Sequence, residues 1–264
     1  MKKLLIASFI LFAACRGTRT TQLSSNEQGM LIHGKTFATV YQQSAAEYRA
    51  LCYQAFNAAR WSLDAFKPKT NKPKAIVTDI DETILDNSDY AAHMSALGKD
   101  YDTESWYQWT NQANAIPIPG AAAFLHYASS KGVEIFYISN RDDREKPSTV
   151  ANLKKYNLPN ADEAHVLLKK ETSGKEGRRQ IVSQTHEIIM LMGDNLPDFS
   201  ALYDKKSMPD RNRQSDLHAS EFGQTFIVLP NPVYGDWEGS LYKYQYGMPP
   251  AKKDSALRSI LRSY

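Results

Sequence analysis

This sequence is poor in cysteine, has no long apolar run beyond its first fifteen residues, carries no large excess of either charge, and spaces its histidines without pattern. Each shortage removes a class of protein. With only Cys15 and Cys52 among 264 residues, no disulfide framework is possible if Cys15 is modified, and stability has to come from the core. Cys52 falls within an apolar helical stripe and reads as a small buried hydrophobe. The six histidines show no ligand spacing. The formal charge is +3, and Lys2 and Lys3 supply two of those charges. The remainder is nearly balanced, which argues against a general affinity for nucleic-acid polymers. No internal repeat or low-complexity tract is present.

The one apolar run is "MKKLLIASFILFAAC". A basic start, an apolar stretch and small residues follow in the order of a secretory signal, too short to span a bilayer permanently. Ala13-Ala14-Cys15 resembles a bacterial lipobox, with Phe12 in place of the usual leucine. On that reading Cys15 is lipidated, and the protein is exported and anchored to a membrane, the bacterial outer membrane facing the periplasm or the cell surface. Ordinary cleavage at a nearby small residue is the alternative. The polar segment that follows suits a tether. The expected organisation is a leader over 1–15, a tether over 16–30 and one domain over 31–264.

Hydrophobic residues make up 42% of the chain, enough for a real core. Phe37, Tyr41, Tyr48, Cys52, Phe56, Ala59 and Leu63 recur at helical spacing, predicting one long amphipathic helix over about 36–65. Apolar, β-rich runs at "AIVTD", "VEIFYISN", "AHVLL", "EIIMLMGDN" and "TFIVLP" predict five strands, separated by helical patterns. The alternation specifies an α/β fold with a doubly wound parallel sheet. The stretch 87–118, with Trp106, Tyr107 and Trp109, reads as a small helical lid, and the polar 204–222 as a second lid piece. "AKKDSALRSILRSY" reads as a final amphipathic helix.

Polar residues stand where these strands end: Asp79 and Asp81, then Ser139 and Asn140, then Asp194. In parallel sheets ligands bind beyond the carboxyl ends, so one site can collect them all. Buried carboxylates need a cation, and hard oxygen ligands suit Mg²⁺. Asp79, Asp194 and the Asp81 backbone carbonyl are the expected protein ligands. Asp198, one helical turn past Asp194, can hold a metal-bound water. Asp79 is placed to attack phosphorus and form an aspartyl-phosphate. Asp81 can protonate the leaving group and then draw a proton from water. Ser139 and the Asn140 amide can bind phosphoryl oxygens, and Lys175 can neutralise charge that develops on them. Glu82, Asp86 and Asp89 are read as supports of the turn.

"DIDETILDN", "ISNR", "SGKEGRR" and "GDNLPDF" together resemble the four motifs of the haloacid dehalogenase superfamily. With "SWYQW", "PNPVYG" and the leader, they are similar to its class C acid phosphatases, the lipoprotein e family. The resemblance covers the chain from about residue 35 onward. Lys169 and Lys170 compete with Lys175 by position, and Lys175 is preferred because "SGKEGRR" matches the third motif. The resemblance implies an Mg²⁺-dependent phosphomonoesterase that prefers nucleoside 5′-monophosphates, including nicotinamide mononucleotide, and tends to form homodimers. Trp106 and Tyr234 are then expected to sandwich the planar base. Two alternatives stay open: a broad phosphatase or phosphotransferase with no base preference, and a surface lipoprotein that binds haem or a nucleotide without turnover. A binder has no need of both Asp79 and Asp81.

Overall fold

The computed structural model describes residues 29–264. The leader, most of the tether and Cys15 lie outside the described residues. Helices α1 (Met30–Ser44) and α2 (Ala46–Ala65) precede strand β1 (Lys74–Thr78). Strands β2 (Leu85–Asp86) and β3 (Ile116–Pro117) bracket helices α3 (Ser88–Ala96) and α4 (Thr103–Thr110). Next come α5 (Ala121–Ser130), β4 (Val133–Asp142), α6 (Lys146–Lys155), β5 (Val166–Lys169), α7 (Glu176–Thr185) and β6 (Glu187–Gly193). The chain ends with α8 (Met208–Leu217), β7 (Phe226–Val228), α9 (Asp236–Leu241) and α10 (Pro250–Ile260).

Five strands form one sheet in the order β5-β4-β1-β6-β7, and every pairing is parallel. The sheet is the α/β core expected from the alternation of strands and helices. Strand side chains alternate between faces. Ile76, Ile135, Tyr137, Val166 and Met190 enter one core with Tyr48, Cys52, Phe56 and Leu63 of α2 and with Phe124 and Leu125 of α5. Ala75, Val77, Phe136 and Ile138 pack on the other face against Val182 of α7. Both faces are covered, so β1 is buried along most of its length. Gly132 ends α5 at φ +70°, a conformation that costs a residue with a Cβ more.

The helix expected over 36–65 is two helices. Ala45 is extended between them, at φ −78° and ψ 128°, and Phe37 is exposed rather than packed. A stripe that keeps its spacing across a break does not report the break. The bend matters for the site, because it brings Lys35 and Gln42 of α1 to the wall of a cavity. The 87–118 segment contains α3, α4 and β3, and β3 returns to pair antiparallel with β2. The 204–222 segment, expected as a second lid piece, forms α8 and contributes no residue to the cavity wall. Its polarity is that of a solvated helix pinned by buried Arg211, whose Nη1 donates to the Tyr203 carbonyl at 3.2 Å. Among the described residues no helix is long and apolar enough to cross a membrane.

Candidate active site

The site begins where β1 leaves the sheet. The Asp79 amide still donates to the Met192 carbonyl at 2.9 Å, holding the chain against β6. A tight turn follows, in which the Ile84 and Leu85 amides both donate to the Ile80 carbonyl at 2.8 Å. Ile80 and Ile84 anchor this turn in the core, and Glu82 takes the left-handed conformation at φ +55°. Asp79 and Asp81 both line the cavity above the carboxyl edge of the sheet.

Lys175, just before α7, reaches Asp79 Oδ1 at 2.5 Å and Asp198 Oδ1 at 2.6 Å. Asp194 follows β6 and accepts from Thr83 Oγ1 at 3.1 Å and from Asn231 Nδ2 at 2.8 Å. Asp198 is brought back by a short 3-10 turn, Leu196–Asp198, rather than by the α-helical turn expected. Its Oδ2 accepts from the Asn195 amide at 3.0 Å, while Arg179 donates to the carbonyls of Pro197 and Asp198, each at 2.9 Å. Gly193 leaves room for this return, since a Cβ there would collide with the Asp198 side chain.

Oxygens of Asp79, Asp194 and Asp198 lie within 4.8 Å of one another. Burial raises the Asp79 pKa to about 7, against the pull of Lys175 and with added repulsion from Asp198 and Asp81. Burial, then Asp198 and Asp79, push Asp194 well above the usual carboxylate range. Burial opposes the charge on Lys175, but Asp198 and Asp79 more than offset it and hold its pKa up. One ammonium cannot neutralise three carboxylates, so the cluster ionises fully only with more positive charge. A set of hard oxygen donors this close together fits a divalent cation.

Asp81 stands apart from that cluster. Arg141 grips it with Nε at 3.0 and 3.1 Å from its two oxygens and with Nη2 at 2.7 Å from Oδ1. Asn87 Nδ2 donates to Oδ1 at 2.9 Å. Ser139 Oγ donates to Asp81 Oδ2 at 3.3 Å and accepts from the Arg141 amide at 3.1 Å. Asn140 also lines the cavity, its Oδ1 held by Arg178 Nη2 at 2.7 Å.

The cavity has a volume of about 380 Å³. Trp106 and Tyr234 both line it. Trp106 is largely buried, edge-on to Tyr90 with centroids 5.1 Å apart. Tyr234 is half-exposed, and its hydroxyl donates to the Glu82 carboxylate. Glu82 also accepts from the Asn87 amide at 2.8 Å, which is turn support of the kind read from the sequence. Asp86 Oδ1 likewise accepts from the Ser88 amide at 2.8 Å and from Gln42.

Sequence reasoning brought seven of these side chains to one place, namely Asp79, Asp81, Ser139, Asn140, Lys175, Asp194 and Asp198, but missed the groups that hold them. Arg141, Asn87, Asn231 and Thr83 had no assigned part. Arg141 carried a weak signal, as the charged residue of "ISNR"; β4 runs on through it to Asp142 instead of ending at Ser139. Thr83 and Asn87 lie inside "DIDETILDN" and Asn231 inside "PNPVYG", so the motifs contained them, but nothing in the sequence showed which side chain each would hold.

The family model described as "HAD superfamily, subfamily IIIB (Acid phosphatase)" matches residues 21–237. Among solved structures, the class C acid phosphatase from Bacillus anthracis is 43% identical, with a TM-score of 0.85 over 89% of this chain and 99% of that one. The Bacillus anthracis enzyme with tungstate bound gives the same identity, coverage and TM-score. The chain therefore belongs to the class C acid phosphatases, subfamily IIIB of the haloacid dehalogenase superfamily, and is a phosphoric monoester hydrolase.

Proposed function

We propose that this enzyme is an Mg²⁺-dependent acid phosphatase that cleaves nucleoside 5′-monophosphates, nicotinamide mononucleotide among them, through an aspartyl-phosphate on Asp79. The carrying observation is the division of labour between two aspartates two residues apart. Asp79 shares a cluster with Asp194, Asp198 and Lys175. Asp81 is held separately, in the fork of Arg141. A group that only bound an ion would not need this separation.

In the first step an Asp79 oxygen forms a bond to phosphorus while the bond from phosphorus to the leaving oxygen breaks. Asp81 gives that oxygen its proton, without which an alkoxide is a poor leaving group. In the second step water attacks the same phosphorus, Asp81 takes its proton, and the bond to Asp79 breaks to free phosphate. Lys175 offsets charge on the phosphoryl oxygens and keeps Asp79 oriented. Ser139 and Asn140 offer donors at the cavity wall, with Ser139 turning from its bond to Asp81. Asp79, Asp194, Asp198 and the Asp81 carbonyl would hold Mg²⁺, which when bound neutralises the cluster and polarises the phosphoryl group.

Support for a nucleotide substrate comes from Trp106 and Tyr234 on the walls of one cavity. A base between two rings gains on the order of 1–3 kcal/mol per stack. Tungstate in the Bacillus anthracis enzyme suits a tetrahedral oxyanion site here as well. The leader and Cys15 further suggest export, a lipid anchor at the outer membrane and action outside the inner membrane; the mass of the mature protein reads that directly. Homodimerisation is part of the same proposal by family resemblance. A broad phosphatase is the second reading, favoured by the burial of Trp106 against Tyr90 and Tyr101, which leaves little of its ring for a base. Phosphate release from a panel of nucleotides, sugar phosphates and glycerol phosphate, with Mg²⁺ and with EDTA from about pH 4 to about pH 8, tests the function. Nucleotide preference and loss in EDTA are expected. Equal rates across the panel would favour the second reading, and full activity in EDTA would remove the cation.

A further inference from the structure

The loop after β7, "PNPVYG", belongs to no strand or helix, yet it is tied to both catalytic segments. Asn231 Nδ2 donates to Asp194 Oδ2 at 2.8 Å. Its Oδ1 accepts from the Val233 amide at 2.9 Å and from the Tyr234 amide at 3.3 Å. One side chain therefore spans from a carboxylate of the acidic cluster to the backbone of an aromatic wall of the cavity. From Tyr234 the path continues through its hydroxyl to Glu82 and on to the Asn87 amide. Asn87 donates to Asp81 at 2.9 Å and accepts from Trp109 Nε1 at 2.8 Å. Trp109 sits on α4, the helix that carries Trp106.

We propose that Asn231 is a positioning residue that couples the acidic cluster to the aromatic pair, so that cation binding at Asp194 sets Tyr234 for the base. The inference rests on the nucleotide reading above and adds to it a means by which the two ends of the substrate are recognised together. An amide has its donor and acceptor on a rigid plane, so the bond to Asp194 fixes where the acceptor points. That acceptor orients the turn carrying Tyr234. A cation held by Asp194 limits the rotation of its carboxylate, and the Asn231 amide bonded to Oδ2 is limited with it. Asn231 then holds the turn that carries Tyr234 in one orientation. The effect also runs in reverse, because a coupling free energy is reciprocal. A bound base should tighten the cation site even though the base never touches it.

The test uses adenosine, which has a base and no phosphate, so that it cannot reach the cation directly. Calorimetry would measure adenosine affinity in the EDTA-treated and Mg²⁺-saturated protein, and Mg²⁺ affinity with and without adenosine. In the wild type, Mg²⁺ should tighten adenosine about fivefold or more, and adenosine should tighten Mg²⁺ by the same factor. Asn231→Ser keeps an oxygen for the turn but cannot reach Asp194, and should reduce both factors to less than about twofold. Thr83→Val removes a different donor from the same carboxylate and should leave the coupling in place. A wild type whose adenosine affinity ignores Mg²⁺ overturns the inference and leaves the nucleotide reading standing. Loss of coupling in Thr83→Val as well would assign the effect to Asp194 alone and overturn the part given to Asn231. Adenosine binding in neither state would overturn the nucleotide reading, and the inference with it.

Discussion

Arg141 does more for this site than its absence from the chemistry suggests. It is buried, and it grips Asp81 through two nitrogens of one planar fork. A lysine there cannot reproduce that geometry. Asp81→Asn should therefore slow an alkyl phosphate by about a hundredfold or more, because general acid catalysis is worth roughly 10²–10⁴. An activated aryl phosphate, whose leaving group needs less protonation, should lose much less. Arg141→Lys should show the same selectivity in weaker form, since Asp81 remains but wanders. The measurement is kcat/KM on one alkyl and one aryl ester for both variants. Equal losses on the two esters would remove Asp81 as the acid. Asp81 was legible in the sequence as a residue of the site, from its position two residues after a strand-terminal aspartate. The guanidinium was not, because nothing in sequence shows that an arginine is buried and aimed.

The ends of the elements decide where the acids go. β1 and β6 are adjacent and parallel, so Asp79 and Asp194 leave the sheet side by side. The return of Asp198 depends on the absence of a Cβ at Gly193. Gly193→Ala should push Asp198 off Lys175 and disturb the acidic cluster without unfolding β6. Changes to groups that support metal ligands weaken metal binding by about 10–100-fold. Mg²⁺ affinity, read by calorimetry, should fall within that range, with kcat falling too. An unchanged Mg²⁺ affinity would mean that Asp198 lies outside the cation site. At this scale the strands were legible, since a strand buried on both faces reads as an unbroken apolar, β-rich run. The break at Ala45 and the pairing of β2 with β3 were not, because each is set by tertiary contacts across long sequence gaps.

For the molecule as a whole, the cluster makes stability depend on pH and on the cation together. Burial raises Asp79 to about 7, and burial together with Asp81 raises Glu82 to about 8. Both lie above the ordinary carboxylate value of about 4. Without the cation, these two groups hold more protons in the folded protein than in the unfolded chain between about pH 4 and about pH 8, so the stability they contribute falls as pH rises through that window. A divalent cation binds the ionised carboxylates, so its stabilising effect should grow with pH. Thermal unfolding of the EDTA-treated protein should give a lower Tm at about pH 7.5 than at about pH 5, and Mg²⁺ should raise Tm more at the higher value. Equal Mg²⁺ shifts at both values would contradict this account.

The sequence by itself determined the α/β class, the family and the seven polar side chains that line the cavity, because these depend on the order of apolar runs and on short motifs. Both can be read along the chain. The tertiary structure alone decided what each carboxylate faces. Asp79 and Asp198 meet over Lys175, Asp81 is drawn to Arg141, and Asp194 is joined through Asn231 to Tyr234. These partners lie between 23 and 96 residues apart in the chain, apart from the Tyr234 turn itself. Electrostatic and hydrogen-bond partners act over a few ångströms of space, and only the packed sheet brings such distant segments that close.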